Sequence, residues 1–275
     1  MKSRLFRLGA AAALVVAGLG SAGNAAAQTR VVEDDDWCYR YRNSDRDHER
    51  FCEVREMTLA ADRSVIAVDG RANGGIKVEG WDRNEILLRA KVQGHADSES
   101  DARSLVEEVE ISTGSTITAD GPRTGRHESW SVSYELMVPR ESNLELETVN
   151  GGISIAEVSG EIEFRATNGG ISLDGLGGDV RGRTTNGGLH IELTGDKWDG
   201  RGLDVQTTNG GISVRVPDDY SAILESGTVN GSFRIDFPIT VQGRLDRRRI
   251  TAELGDGGRT IRVVTTNGGV EIRRS

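Results

Sequence analysis

The residue types that could do chemistry are few, and their spacing assembles little. The two cysteines, Cys38 and Cys52, have His48 between them. Two thiolates and one imidazole fall short of a four-ligand zinc site, and the separation is far wider than a redox Cys-x-x-Cys. The spacing predicts a disulfide across a short loop, in an oxidising compartment. The remaining histidines, His95, His127 and His190, show neither Ser-His-Asp nor metal spacing, and only His190 lies in a repeated motif, where sister copies carry Ser. The run Glu33-Asp34-Asp35-Asp36 offers the oxygen ligands that hard cations favour, yet lacks EF-hand spacing and its glycine, so it reads as a solvated run. Arg244, Arg247, Arg248 and Arg249, with Arg234, Arg259 and Arg262, form the best local anion patch. Charge that blocks pairing at an exposed strand edge is the plainer role for that run. No catalytic residue, metal ligand or cofactor is assigned.

Charge and composition narrow the partners. A net charge of −9 over 275 residues argues against nucleic acid, whose recognition begins from a basic footprint. Residues 1–27 place Lys2, Arg4 and Arg7 before an apolar run, Leu8 to Leu19, and end on Ala25-Ala26-Ala27. This is the layout of a signal peptide, and the run is too short for an ordinary membrane span of about 20 residues. The expected location is outside the cytoplasm, in the periplasm or at the cell surface or beyond it, with no transmembrane segment in the mature chain. A hydrophobic content of 36% suits a thin structure whose strands bury one face.

The elements that must position any site are repeats. Thr184-Thr185-Asn186-Gly187-Gly188-Leu189-His190-Ile191 has close copies centred on Asn73, Asn150, Asn168, Asn209, Asn230 and Asn267. Asn150, Asn168 and Asn186 stand 18 residues apart, and the later gaps are 23, 21 and 37. A period near twenty marks stacked units. Each copy reads as strand, corner, strand, with apolar residues alternating at period two, as in Ile153/Ile155 and Ile212/Val214/Val216. Asn and Gly tolerate a left-handed backbone, which predicts that they form the corners. Stacked corners would let Asn side chains bond along a ladder. The fold expected is an all-β solenoid or β-helix with one short helix in its N-terminal part; an antiparallel meander or sandwich is the alternative, since Asn-Gly also signals hairpins.

Along the chain, residues 28–56 form a charged segment with the disulfide loop, and ordered structure is expected from Met57. Residues 57–140 form an N-terminal β part and 141–275 the Asn-Gly-Gly part, 57–275 making one continuous domain. Between Ser98 and Val109, Ala102, Leu105, Val106 and Val109 fall on one helical face that Ser98 could cap. Val138-Pro139 and Val216-Pro217 mark strand ends or sheet edges. The long gap before Asn267 suggests a copy without its Asn, cornered by Gly255-Asp256-Gly257-Gly258. The copies lack the regular Asp of a calcium β-roll. Thr148, Thr167, Thr185, Thr208 and Thr266 suggest a hydroxyl row of the kind that binds ice or sugars, or simply good strand residues on an exposed face.

The run Cys52-Glu53-Val54-Arg55-Glu56, the Gly80-Trp81-Asp82-Arg83 turn, the Val138-Pro139 start and the repeated Asn-Gly-Gly after Thr or Val resemble the family of exported bacterial proteins labelled "putative adhesins", a domain of unknown function. The resemblance spans about Arg55 to Arg274. It implies a β-solenoid-like fold and an extracytoplasmic location, and brings no catalytic residues. Asn230-Gly231-Ser232 departs by losing the second Gly, which puts that corner in doubt. The function expected is a non-enzymatic envelope protein presenting a β-repeat surface to a glycan, the cell wall or an envelope protein, or serving envelope structure. The alternative is a polysaccharide-acting β-helix hydrolase or lyase.

Overall fold

A computed structural model describes residues 29–32, 36–39, 49–62, 64–238, 240–241 and 249–275. Residues 1–27, Glu33, Asp34 and Asp35, His48, and Arg244, Arg247 and Arg248 lie outside the described residues.

Two 11-stranded sheets face each other, and each repeat sends one strand to each. Ile153–Ala156, Ile171–Asp174, Leu189–Glu192 and Ile212–Val216 pair in parallel in one sheet. Leu144–Thr148, Ser159–Asn168, Gly177–Asn186 and Gly200–Asn209 do so in the other. Parallel ladders between successive copies require a corner and a return strand per rung, so the fold is the solenoid and not the meander. Inward residues stack by register: Ile162, Val180, Leu203 and Ile261 form one row, and Ile155, Leu173, Ile191 and Val214 another. All of these belong to one apolar cluster that runs from Phe51 to Ile272. Within it, Phe164 fills the space above Gly182, where a Cβ would meet the ring at 2.1 Å. Large against small on adjacent rungs keeps the narrow core filled.

The corners hold a continuous side-chain ladder. Asn150 donates to Asn73, Asn168 to Asn150, Asn186 to Asn168, Asn209 to Asn186, Asn267 to Asn209 and Asn230 to Asn267, at 2.7–3.1 Å. The reason for the glycines differs from the one expected: neither Asn nor Gly of any Asn-Gly pair has positive φ. The first glycine is required by close stacking, because a Cβ on Gly169, Gly187 or Gly210 would lie 1.9–2.0 Å from the carbonyl oxygen of the rung below. Left-handed glycines sit instead at the opposite corner, where Gly178 (φ 91°) and Gly200 (φ 128°) stack directly. Ser232 leaves its corner intact: Asn230 joins the ladder, and Val270 donates its amide to the Ser232 carbonyl at 2.8 Å.

Behind the corners runs a second ladder, of buried hydroxyls. Thr148, Thr184, Thr207, Thr265 and Thr228 donate to the carbonyls of Gly74, Gly169, Gly187, Gly210 and Gly268 at 2.6–2.9 Å. Thr148 therefore faces inward, and the exposed row is Val149, Thr167, Thr185, Thr208, Thr266 and Val229. Ala166 occupies the inner position in the one rung of this series without a hydroxyl.

The solenoid is finished differently at its two ends. Glu49–Ala60, Glu85–Ala96 and Ser129–Pro139 pair antiparallel, so ordered structure begins well before Met57, with Phe51 and Val54 already buried. The helix Glu99–Glu107 lies against them, capped by Ser98, whose hydroxyl accepts from the Asp101 amide at 3.1 Å. It buries Ala102, Leu105 and Val106, and approaches so closely that a Cβ on Gly94 would meet the Ala102 carbonyl at 2.4 Å. Arg55 donates to the carbonyls of Val106 and Val109 at its C-terminal end. A second helical turn, Asp36–Tyr39, was not foreseen. At the far end Gly255 to Gly258 make no rung corner. They turn the antiparallel strand Ile250–Leu254 back into Thr260–Asn267. Among the described residues of this stretch there is no further rung: Ile250–Leu254 caps the end against Ala222–Asn230, and Thr260–Asn267 re-enters the stack.

Candidate functional site

The Cys38–Cys52 disulfide binds the turn Asp36–Tyr39 to the outer face of the long antiparallel strands. Cys38, Cys52 and Val54 bury one another there, with Trp37 packed against them. Trp37 remains partly exposed, with the Lys91 ammonium 4.9 Å and the Arg89 guanidinium 5.7 Å from its ring centre, within cation–π range. Burial pushes the Lys91 amine below its ordinary value, since the charged form loses water.

From Trp37 a groove of 680 Å³ runs across the outer face of five adjacent strands, those holding Tyr134, Ile76, Ile153, Ile171 and Leu189. Two outward rows form it. One is Ser133, Gly75, Gly152, Gly170 and Gly188; the other is Glu135, Lys77, Ser154, Ser172 and His190. The rows bracket inward-facing residues such as Ile153 and Ile171, as the alternation of a strand dictates. Charge in the lining is confined to the Trp37 end and is paired: Glu135 holds Lys77 at 3.0 Å and also Arg89, which reaches Glu56 at 3.1 Å. The Glu135 hydrogen bond raises the Lys77 amine above its usual value, against the opposing effect of burial. Toward the other end the lining is glycine, serine hydroxyls and exposed His190, with the Asp174 and Glu192 carboxylates in the next outward row of the same strands.

None of the floor glycines has positive φ. A Cβ added at Gly75 or Gly170 would find nothing nearer than 3.7 Å, whereas at Gly152 or Gly188 it would lie 3.2 or 3.3 Å from the carbonyl oxygen of Gly170 or Gly211, a tight fit. The preceding glycine of each pair is sterically obligatory, whereas at Gly75 and Gly170 the backbone leaves room for a side chain and glycine keeps a trough open. Within the chain the second glycine recurs in six of seven copies and gives way to Ser232 in the copy at the sheet edge, beyond the groove. That double glycine was the signal in the sequence, and it was read as corner chemistry alone. Trp37 could not have been found, because its place depends on the fold of strands that follow it.

The other expected sites stay structural or lie partly outside the described residues. Of the arginine patch, Arg249 pairs with Glu225 at 3.4 Å, Arg262 with Asp204 at 2.6 Å and Arg234 with Glu271 at 3.7 Å. Arg249 and Arg262 line one surface pocket of 310 Å³ together with Glu225, each held in its ion pair, and Arg244, Arg247 and Arg248 lie outside the described residues. His127 lies 3.3 Å from Asp97 and His95 3.4 Å from Ser129, in separate surface contacts. The structure does bring two carboxylates together that the sequence left apart: Asp174 and Glu192 are register partners on the outer face. Partial burial, then repulsion from Glu192 and Glu157, raises the Asp174 carboxyl above its ordinary value. Among the described residues no group of His, Cys, Asp and Glu is arranged to hold a metal ion.

A family model described as Toastrack DUF4097 matches residues 91–273. The chain belongs to the Toastrack family. The match covers the Toastrack solenoid from Leu144–Thr148 onward and leaves the Trp37 turn, the Cys52 strand and the Asn73 rung with its strands Ile66–Asp69 and Ile76–Trp81 outside it. Solved structures similar to this chain include a "putative cell adhesion protein" from Clostridium sporogenes, 12% identical over 82% of this chain and 100% of that one, with a TM-score of 0.40. A "putative adhesin" from Parabacteroides merdae is 13% identical over 80% and 95%, with a TM-score of 0.35. A "putative lipid binding protein" from Parabacteroides distasonis is 11% identical over 82% and 96%, with a TM-score of 0.26. Likenesses this distant carry none of these names over to the present chain. No curated protein matches it.

Proposed function

We propose that this Toastrack protein is a non-enzymatic binding module of the cell envelope, and that the groove beside Trp37 is its binding surface. The carrying observation is the strip of four glycines along the groove floor, two of which, Gly75 and Gly170, the backbone does not need. Sites of this kind are concave and mainly apolar, with a few convergent polar groups. The neutral floor, the serine row and the pinned indole match that description. Export is supported by the basic, apolar and small-residue order of residues 1–27 and by the Cys38–Cys52 disulfide, which suits an oxidising compartment. No helix among the described residues is long and apolar enough to cross a membrane. The test is retention of the purified chain on isolated envelope material, compared with Gly170→Val. Retention that falls with the variant while its melting temperature holds supports the reading; equal retention of both proteins refutes it.

One observation favours the hydrolase alternative, namely Asp174 beside Glu192 with the Asp174 carboxyl raised. Glycoside hydrolysis uses a pair of carboxyl groups, one of them raised from its ordinary value to serve as the acid. Release of reducing ends from envelope polysaccharide, abolished by Asp174→Asn, would establish that alternative; no release at high enzyme concentration would remove it.

A further inference from the structure

The character of the groove limits what can lie in it. Its floor is the face of a complete ladder and not an edge: the carbonyls of Gly75, Gly152, Gly170 and Gly188 accept from the amides of Tyr134, Ile76, Ile153 and Ile171 at 2.8–3.0 Å. A peptide strand bound there would find no free backbone to pair with, which removes the main source of affinity in strand addition. Charged ligands fare no better. Lys77 is held by Glu135 and Glu79, and Arg89 by Glu56 and Glu135, so an ionic ligand would have to displace ion pairs already made.

What the floor does offer is glycine methylene surface at four rungs and a hydroxyl or imidazole at three, Ser154, Ser172 and His190, with the Lys77–Glu135 ion pair on the two rungs nearest Trp37, all at the strand spacing of about 4.8 Å. Four such intervals make a track of about 19 Å. A linear chain of pyranose rings advances by roughly one strand spacing per sugar. It presents C–H faces to an apolar floor and hydroxyls to the Ser154, Ser172 and His190 row. The indole of Trp37 stands at the end of the track, with the apolar face and polar edge that suit stacking on a sugar ring.

We infer that the groove binds a neutral, linear glycan lying along the ladder axis, about four sugars long, with Trp37 stacked on the sugar at one end and His190 near the other. This rests on the groove being the binding surface. Residues Ser154 and Ser172 read hydroxyls of the inner sugars, and the glycine row sets the depth at which the rings sit.

The experiment is a fluorescence and calorimetric titration of the full chain, disulfide intact, with cellotetraose and chitotetraose. The corresponding disaccharides and tetragalacturonate serve as short and charged comparisons. The expected result is saturable binding of a neutral tetrasaccharide, at least about tenfold tighter than its disaccharide, and weakened about tenfold or more by Trp37→Ala and by Gly170→Val. Gly170→Val should keep the wild-type melting temperature, which separates a blocked track from a broken fold. Absence of binding by both neutral tetrasaccharides overturns the inference, as does preference for tetragalacturonate or indifference to both variants. If no saccharide binds while retention on envelope material still falls in Gly170→Val, the glycan is wrong and the groove stands. If neither responds to Gly170→Val, both fall.

Discussion

Asn267 stands between Asn209 and Asn230 in the corner ladder although it follows both in the chain: it donates to Asn209 and accepts from Asn230, each at 2.8 Å. The strands on either side obey the same order, since Thr260–Asn267 pairs in parallel with both Gly200–Asn209 and Ala222–Asn230. The end of the sequence is thus an interior rung. Deleting residues from Thr260 onward should separate the Asn230 rung from the stack and expose apolar rows on both sides of the gap, giving a loss of cooperative unfolding that removal of a true end rung would not cause. Asn267→Ala removes two ladder bonds and Asn230→Ala one, with expected costs of about 1–2 kcal/mol and about half that. Urea unfolding of the two variants checks the ratio.

The two glycines of each corner should behave oppositely. Gly169→Ala drives a Cβ to 1.9 Å from the Gly151 carbonyl and forces adjacent rungs apart, so a loss of about 1–3 kcal/mol or more is expected. At Gly170 the nearest atom is 3.7 Å away, and Gly170→Ala should leave stability within about 0.5 kcal/mol. Melting temperatures of the pair test whether only the first glycine belongs to the fold.

Ala166 interrupts the buried hydroxyl ladder between Thr148 and Thr184. By register, a threonine there would donate to the Gly151 carbonyl, as Thr184 donates to Gly169 at 2.9 Å. Ala166→Thr should stabilise the protein by about 1 kcal/mol, and Thr184→Val should lose a similar amount by leaving the Gly169 acceptor without its side-chain donor. Chemical denaturation of both variants provides the check.

Reduction of Cys38–Cys52 should release Trp37 from its place over Arg89 and Lys91. The bond closes a loop of 14 residues, for which chain entropy predicts about 3 kcal/mol. The solenoid core does not pass through this bond, so far-ultraviolet circular dichroism should keep its β signature while tryptophan emission shifts to the red and groove binding drops. Retained binding after reduction would separate Trp37 from the site.

Much of this was legible locally. Period-two alternation placed the inward rows, because a strand that buries one face repeats every second residue. The Ser98 cap and the stripe from Ala102 to Val109 located the helix Glu99–Glu107, since both signals act within one or two turns. Val138-Pro139 and Val216-Pro217 marked strand ends, as the bounds Ser129–Pro139 and Ile212–Val216 show. The repeated Asn at near-constant spacing implies the corner ladder. These features depend on backbone geometry within a few residues, and residue type reports that geometry directly.

Contacts between rungs were another matter. Whether a glycine is present for left-handed backbone or for close approach depends on what lies across the stack, so Gly169 and Gly178 look alike in sequence while answering to different constraints. The insertion of the Asn267 rung before that of Asn230 and the burial of Thr148 depend on register between distant strands, as does the arrival of Trp37 above a floor whose residues, from Gly75 to His190, follow it by 38 to 153 positions. Parallel pairing leaves almost no mark on the order of residues along one strand; it is decided by which apolar rows pack together, and that choice exists only once the chain has folded.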